Sequence, residues 1–212
     1  MAKPSNASIV WDLHPSVAYV HTVLANILPK TGRTVEAWVE LVKSEGPTEA
    51  KARSAWLKAQ GLGATQAGFV AQRAAALPGQ AFDDTPEGYL AAAPGYVDGQ
   101  YSGRKAGLRP FFNHLVSLVR SLGEDVRVCP CETIVPFYRN HVFAEVKPFA
   151  SRLDLGLALG DPSGVKDRTG RLKDTGGFKK NDRITHKVEI ILEADLELAL
   201  PWLERAYKLD GR

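Results

Sequence analysis

The strictest constraint on this chain is the run Leu153-Asp154-Leu155-Gly156-Leu157-Ala158-Leu159, in which leucine takes every second place. Side chains alternate across a strand, so this run has one apolar face to bury and needs neighbours to bury it with. The neighbours are present. VRVC (126–129), TIVPFYR (133–139), VFAEV (142–146), RLDLGLAL (152–159) and RITHKVEII (183–191) are short and rich in β-branched and aromatic residues. Arg139-Asn140-His141 between two of these runs predicts a hairpin. A helix is expected before them, over Leu108, Phe111, Phe112, Leu115, Leu118, Val119 and Leu122, with Pro110 near its start and Gly123 beyond its end. Another is expected at about 194–208, carrying Leu196, Leu200, Leu203 and Tyr207, which Pro201 should kink or split. Helix, consecutive strands, then helix predicts an α+β fold with a mainly antiparallel sheet of about five strands.

The first part of the chain has a different period. Residues 1–78 predict a four-helix domain. Pro15 suits a first helical position before Val17, Val20, Leu24 and Ile27, and Thr34 caps a helix carrying Trp38 and Val42 that Gly46 ends. Thr48 is expected to cap a third helix with Trp56, closed by Gly61. The fourth runs over about 64–76 until Pro78-Gly79 stops it. Residues 79–107 are dense in glycine and proline and predict a linker, with one helical turn at Thr85-Pro86-Glu87. The α+β domain then occupies 108–212.

Composition sets the class. In 212 residues, 44% are hydrophobic and 24% charged, which suffices for a core. The net charge of +3 makes no case for a nucleic-acid or membrane partner, and no run approaches a membrane span. The start lacks the order of a secretory signal, and two cysteines make no disulfide framework, so a reducing cytoplasm is expected. Asn6-Ala7-Ser8 fits a glycosylation pattern that such a compartment would not use.

Few constellations suggest chemistry. Cys129 and Cys131 are spaced to share a strand face; they read first as small buried thiols, and less readily as a metal or redox pair. No paired-ligand spacing accompanies them, so no metal and no cofactor is predicted. His186, alternating with Ile184 and Val188, is a core histidine or lines a pocket. Tyr138, Arg139 and Arg152, with Tyr96 and Tyr101 upstream and Phe112 on the helix, suit a carboxylate, a phosphate or a flat ring if they converge. Loop 160–183 holds seven basic and four acidic residues and reads as a solvated loop before a phosphate-binding one. GLGATQAG (61–68) lacks the strand and the Gly-Lys-Ser/Thr ending of a phosphate loop.

Two stretches resemble known families. HPSVAYVHTVLANILPKTGRTVEAWVELVKSEGP with AWLKAQGLGATQAGFVAQ resembles a small helical domain of unknown function in bacterial proteins. GYVDGQYSGRKAGLRPFFNHLVSLVRSLG, with TIVPFYRNHVFAEVKP, RLDLGLALG and THKVEI, resembles a second domain that often follows it and is labelled only as a predicted transport protein. The resemblance implies an architecture and a bacterial source but no activity and no catalytic residue. Similar sequences carry basic residues just before Thr133, where this chain has Cys129-Pro130-Cys131-Glu132.

The function expected is non-enzymatic binding of a small molecule, for sequestration or sensing. Its pocket lies on the C-terminal sheet with Tyr96, Tyr101, Phe112, Tyr138, Arg139, Arg152 and His186 as ligand-binding residues. On this reading, alanine at Tyr96 or Tyr101 weakens binding without unfolding the protein. The alternatives are a nucleic-acid-associated module using loop 160–183, or an enzyme using Cys129, Cys131 or His186. The oligomeric state is not legible.

Overall fold

The computed structural model describes residues 9–77, 82 and 84–211. The chain divides into two compact units, one of residues 14–89 and one that joins the N-terminal segment to residues 90–211.

The first unit is helical. Its helices are α1 (Pro15–Ala25), α2 (Ile27–Thr31), α3 (Val35–Glu45), α4 (Ala50–Ala59) and α5 (Ala64–Ala74). The expected first helix is thus two, parted at Asn26, whose amide and side chain both bond Thr22 O. Thr34 caps α3 by accepting from Ala37 N, as expected, and Gly46 ends it. Thr48 does not cap α4: Glu49 holds that place, and the Thr48 carbonyl instead accepts from Arg53. Ile27, Trp38, Val42, Leu57, Ala67 and Val70 form the core. Trp38 Nε1 donates to Thr31 Oγ1, and buried Gln66 donates to Val23 O, so these two buried donors are satisfied. The expected stop at Pro78-Gly79 lies outside the described residues, as does Asn6-Ala7-Ser8.

Residues 86–100 form a helix, α6 (Pro86–Gln100), well beyond the single turn expected there. Thr85 starts it, its Oγ1 accepting from Gly88 N, and the helix continues through Pro94. A 3-10 segment at Gly103–Leu108 then leads into α7 (Arg109–Arg120).

The second unit is α+β. Six strands, β1 (Arg127–Val128), β2 (Val135–Tyr138), β3 (Val142–Pro148), β4 (Leu153–Leu157), β5 (Lys173–Asp174) and β6 (His186–Ile190), form one open sheet in the order β1-β2-β3-β4-β6-β5, all pairs antiparallel. β5, inside the loop, was not expected. The leucine alternation works as anticipated: Leu153, Leu155 and Leu157 pair with Ile190, Val188 and His186 on one side and with Pro148, Val146 and Ala144 on the other, making one buried face. Across that face lies α8 (Ala194–Asp210), packed on β3, β4 and β6 beside α7. α8 runs unbroken over Pro201, so the expected split does not occur. The opposite face carries Glu145, Lys147, Asp154, Lys187 and Glu189, a ladder of charges in which Asp154 accepts from both Arg152 and Lys187 at 2.7 Å.

Residues 9–13 close the β1 edge. Asp12 N donates to Val128 O, and Asp12 Oδ2 accepts from Val128 N at 2.7 Å, so the segment pairs with the strand by a backbone and a side-chain bond.

Candidate functional site

The α+β unit has a cleft of about 280 Å³ where the 158–160 loop, residues 178–185 and the last turn of α8 meet. Asp210, the last residue of α8, has a side chain only 1% exposed, and a buried carboxylate requires partners. Its Oδ1 accepts from Arg183 Nη2 at 2.6 Å and lies 3.2 Å from His141 Nδ1, while Oδ2 accepts from His141 N at 2.8 Å. Arg183 Nε donates to Val142 O, so its guanidinium is held on two sides. Nη1 makes no hydrogen bond among the described residues.

The Arg139-Asn140-His141 turn does join β2 to β3, and it closes the C-terminal end of α8. Asn140 donates to Asp210 O at 2.8 Å, and Arg139 donates to Tyr207 O at 3.3 Å with its guanidinium 4.3 Å from the Tyr207 ring. Both satisfy carbonyls that a helix end leaves open, and the cation suits the negative end of the helix dipole. Asp125 anchors the pair by accepting from Tyr207 Oη and Arg139 Nε, and these two bonds hold its carboxyl below the usual range.

Thr185 forms the inner polar edge of the cleft, and His186 follows it in the strand; both are buried. Thr185 Oγ1 accepts from Leu159 N and lies 2.8 Å from His186 Nδ1. This contact ties the imidazole to the strand at Nδ1. Burial lowers the His186 pKa, Asp174 across the β5–β6 pair opposes the shift and Arg205 adds to it, so the ring is neutral at pH 7.

The outer wall is Phe178, 47% exposed, which also borders a neighbouring cleft of about 300 Å³. Its 3-10 turn is pinned close to the strand. A Cβ on Gly177 would stand 2.4 Å from Ile184 O, so only glycine fits there. Asp182 N donates to Gly177 O, and Asp182 Oδ1 accepts from Ile184 N. Asp182 Oδ2 makes no hydrogen bond among the described residues.

The seven residues named from the sequence do not share one cavity. Tyr101 and Phe112 stack in the core with centroids 4.7 Å apart, and the Tyr101 hydroxyl is buried with no hydrogen-bond partner among the described residues. Tyr96 is half-buried on α6. Tyr138 ends β2 with the Arg127 guanidinium 5.8 Å from its ring, and Arg152 is tied to Asp154 on the charged sheet face. Only His186, next to Thr185, and Arg139, at the end of α8, come near the cleft. Sequence reasoning took Phe178, Asp182 and Arg183 as parts of a charged loop and passed over Thr185 and Asp210. An isolated phenylalanine in a polar segment was the one available signal.

Cys129 is a buried thiol and Cys131 a half-buried one. Cys129 is pushed up to about 12, first by burial and then by Asp12, and Cys131 is raised by burial and Glu145. Neither is a thiolate at neutral pH. Among the described residues no group of three His, Cys, Asp or Glu is placed to hold a metal ion. The basic loop is partly neutralised: Arg171 pairs with Asp195 and Lys173 with Glu189. Among the described residues no helix is long and apolar enough to cross a membrane.

Comparison with known families agrees with the two-part reading of the chain. Residues 20–71 match a domain of unknown function (DUF4287), and residues 97–210 match another (DUF5655), which includes the whole sheet and the cleft. No curated protein and no solved structure matches significantly. Since the second match spans more than half of the chain, the protein belongs to the DUF5655 family.

Proposed function

We propose that the protein binds a small molecule, without transforming it, in the cleft at the end of α8. One observation carries this reading: a concave space with apolar walls, Leu159, Phe178 and Leu209, also presents Arg183 and Asp182 with donor and acceptor atoms that make no hydrogen bond among the described residues. Mostly apolar clefts with a few fixed polar groups are the usual form of a ligand site. Arg183 is set in place by Asp210 and Val142 before any ligand arrives, which lowers the ordering cost of binding. The raised thiols of Cys129 and Cys131 favour binding over covalent catalysis. The role is sequestration or sensing in a reducing bacterial cytoplasm. The transport label of the resembling proteins fits it as binding of the carried molecule.

The test is native mass spectrometry of the full chain after incubation with a small-molecule cell extract. Binding predicts a mass adduct that Ala158→Trp, which fills the cleft, abolishes while circular dichroism is unchanged. An adduct that survives the filled cleft places the ligand elsewhere.

A second reading, a nucleic-acid-associated module, is favoured by the exposed Phe178 beside exposed Lys179 and Lys180. It ranks lower because Arg171, Lys173 and Arg183 are already paired with acids. It requires affinity that falls steeply with salt.

A further inference from the structure

The cleft's polar atoms have an order that selects a ligand class, given that the cleft is the binding site. Asp182 and Arg183 are consecutive, both border the cleft, and both are immobilised by bonds that use only part of their capacity. Asp182 commits Oδ1 to Ile184 N. Arg183 commits Nε to Val142 O and Nη2 to Asp210. What remains is one carboxylate oxygen that can only accept and one guanidinium nitrogen that can only donate. The charge of Arg183 is already balanced by Asp210, so its free N–H groups suit a neutral acceptor as well as an anion. Phe178 adds a half-exposed ring on the wall, and an aromatic face is suited to a planar partner. The space, about 280 Å³, limits the occupant to one or two small rings.

We propose that the ligand is a planar nitrogen heterocycle of one or two rings whose edge carries an acceptor for Arg183 beside an N–H donor for Asp182, with its face on Phe178. An amide-like edge of this kind is found on nucleobase-type rings. A saturated ring bearing the same amide lacks the stacking face, and a benzene carboxylate lacks the donor.

The test is isothermal titration of the full-length protein with seven probes: uracil, cytosine, adenine and hypoxanthine against cyclohexanecarboxamide, benzoate and tyramine. At least one of the four heterocycles is expected to bind, with cyclohexanecarboxamide, benzoate and tyramine at least tenfold weaker than it. Phe178→Ala is expected to weaken the heterocycle at least tenfold. Asp182→Asn keeps the bond to Ile184 N and replaces the free acceptor with a donor, so it is expected to cost a similar factor. Phe178→Leu, which retains an apolar wall and the local turn, separates loss of stacking from loss of folding: it too must weaken the heterocycle. Binding by benzoate, tyramine or the saturated amide alone, abolished by Ala158→Trp, overturns the heterocycle assignment and leaves the cleft as a ligand site. Failure of all seven overturns the assignment, while the extract adduct still decides the cleft separately. Heterocycle binding indifferent to Asp182→Asn overturns the edge-recognition part.

Discussion

Asp210 Oδ1 accepts from Arg183 Nη2 at 2.6 Å, joining the last residue of α8 to the residue that opens the approach to β6. The acid is 1% exposed and the arginine side chain 46%, so the pair is buried at one end only. Asp210→Ala removes a buried acceptor used by Arg183 and by His141 N, and it should cost about 2 kcal/mol, below the figure for a fully buried pair. Urea unfolding measures it. Asp210→Asn, which keeps acceptor capacity, should cost roughly half as much. Equal stability of the alanine variant and the wild type would show that the pair holds nothing together.

Tyr101 behaves as core, against its expected role as a ligand contact. The residue is 4% exposed and its hydroxyl makes no hydrogen bond among the described residues, while burial raises its pKa above the ordinary tyrosine value. Tyr101→Phe should therefore stabilise the protein by about 1 kcal/mol. Tyr101→Ala should cost about 3–5 kcal/mol by leaving a cavity against Phe112. Thermal unfolding of both variants checks the pair; destabilisation by the phenylalanine would mean that the hydroxyl is satisfied.

His186 and Glu145 give stability opposite pH slopes. Burial holds the folded pKa of His186 below 6.5, so between the folded and unfolded values the unfolded chain binds more protons. The contribution of His186 is complete above 6.5 and is lost as pH falls through the folded value. Burial raises Glu145 above 4.5, so its contribution is complete below that value and is lost as pH rises through the folded one. On acidification from pH 6.5 towards 4.5 the His186→Asn variant should show less loss of unfolding free energy than the wild type. Glu145→Gln should show more. Parallel curves for all three proteins would contradict both shifts.

Gly177 decides whether Phe178 can sit at the cleft. A Cβ there would collide with the carbonyl of Ile184 at 2.4 Å, and backbone does not yield as a side-chain tip does. Gly177→Ala should cost about 1–3 kcal/mol locally and separate the 177–182 turn from β6. Hydrogen exchange should speed up at the Asp182 amide, which donates to Gly177 O, while β4 amides stay protected. Unchanged exchange at Asp182 would show that the turn tolerates the methyl group.

Which residues form the sheet's buried face was legible in the chain alone, because the alternation of Leu153, Leu155 and Leu157 leaves a strand only one way to turn. The sequence also settled the Thr34 cap, the Arg139–His141 hairpin and the order of helix, strands and helix, all set by residues within a few places of one another. It misjudged α6, where Pro94 and three glycines argued for a linker and the buried contacts of Ala93, Val97 and Tyr101 outweigh that local preference. The cleft belonged to tertiary structure alone. Asp210 meets His141 and Arg183 across separations of 69 and 27 residues, and Thr185 reaches Leu159 across 26. Contacts over such distances are decided by how strands and helices pack, and local spacing carries no trace of them.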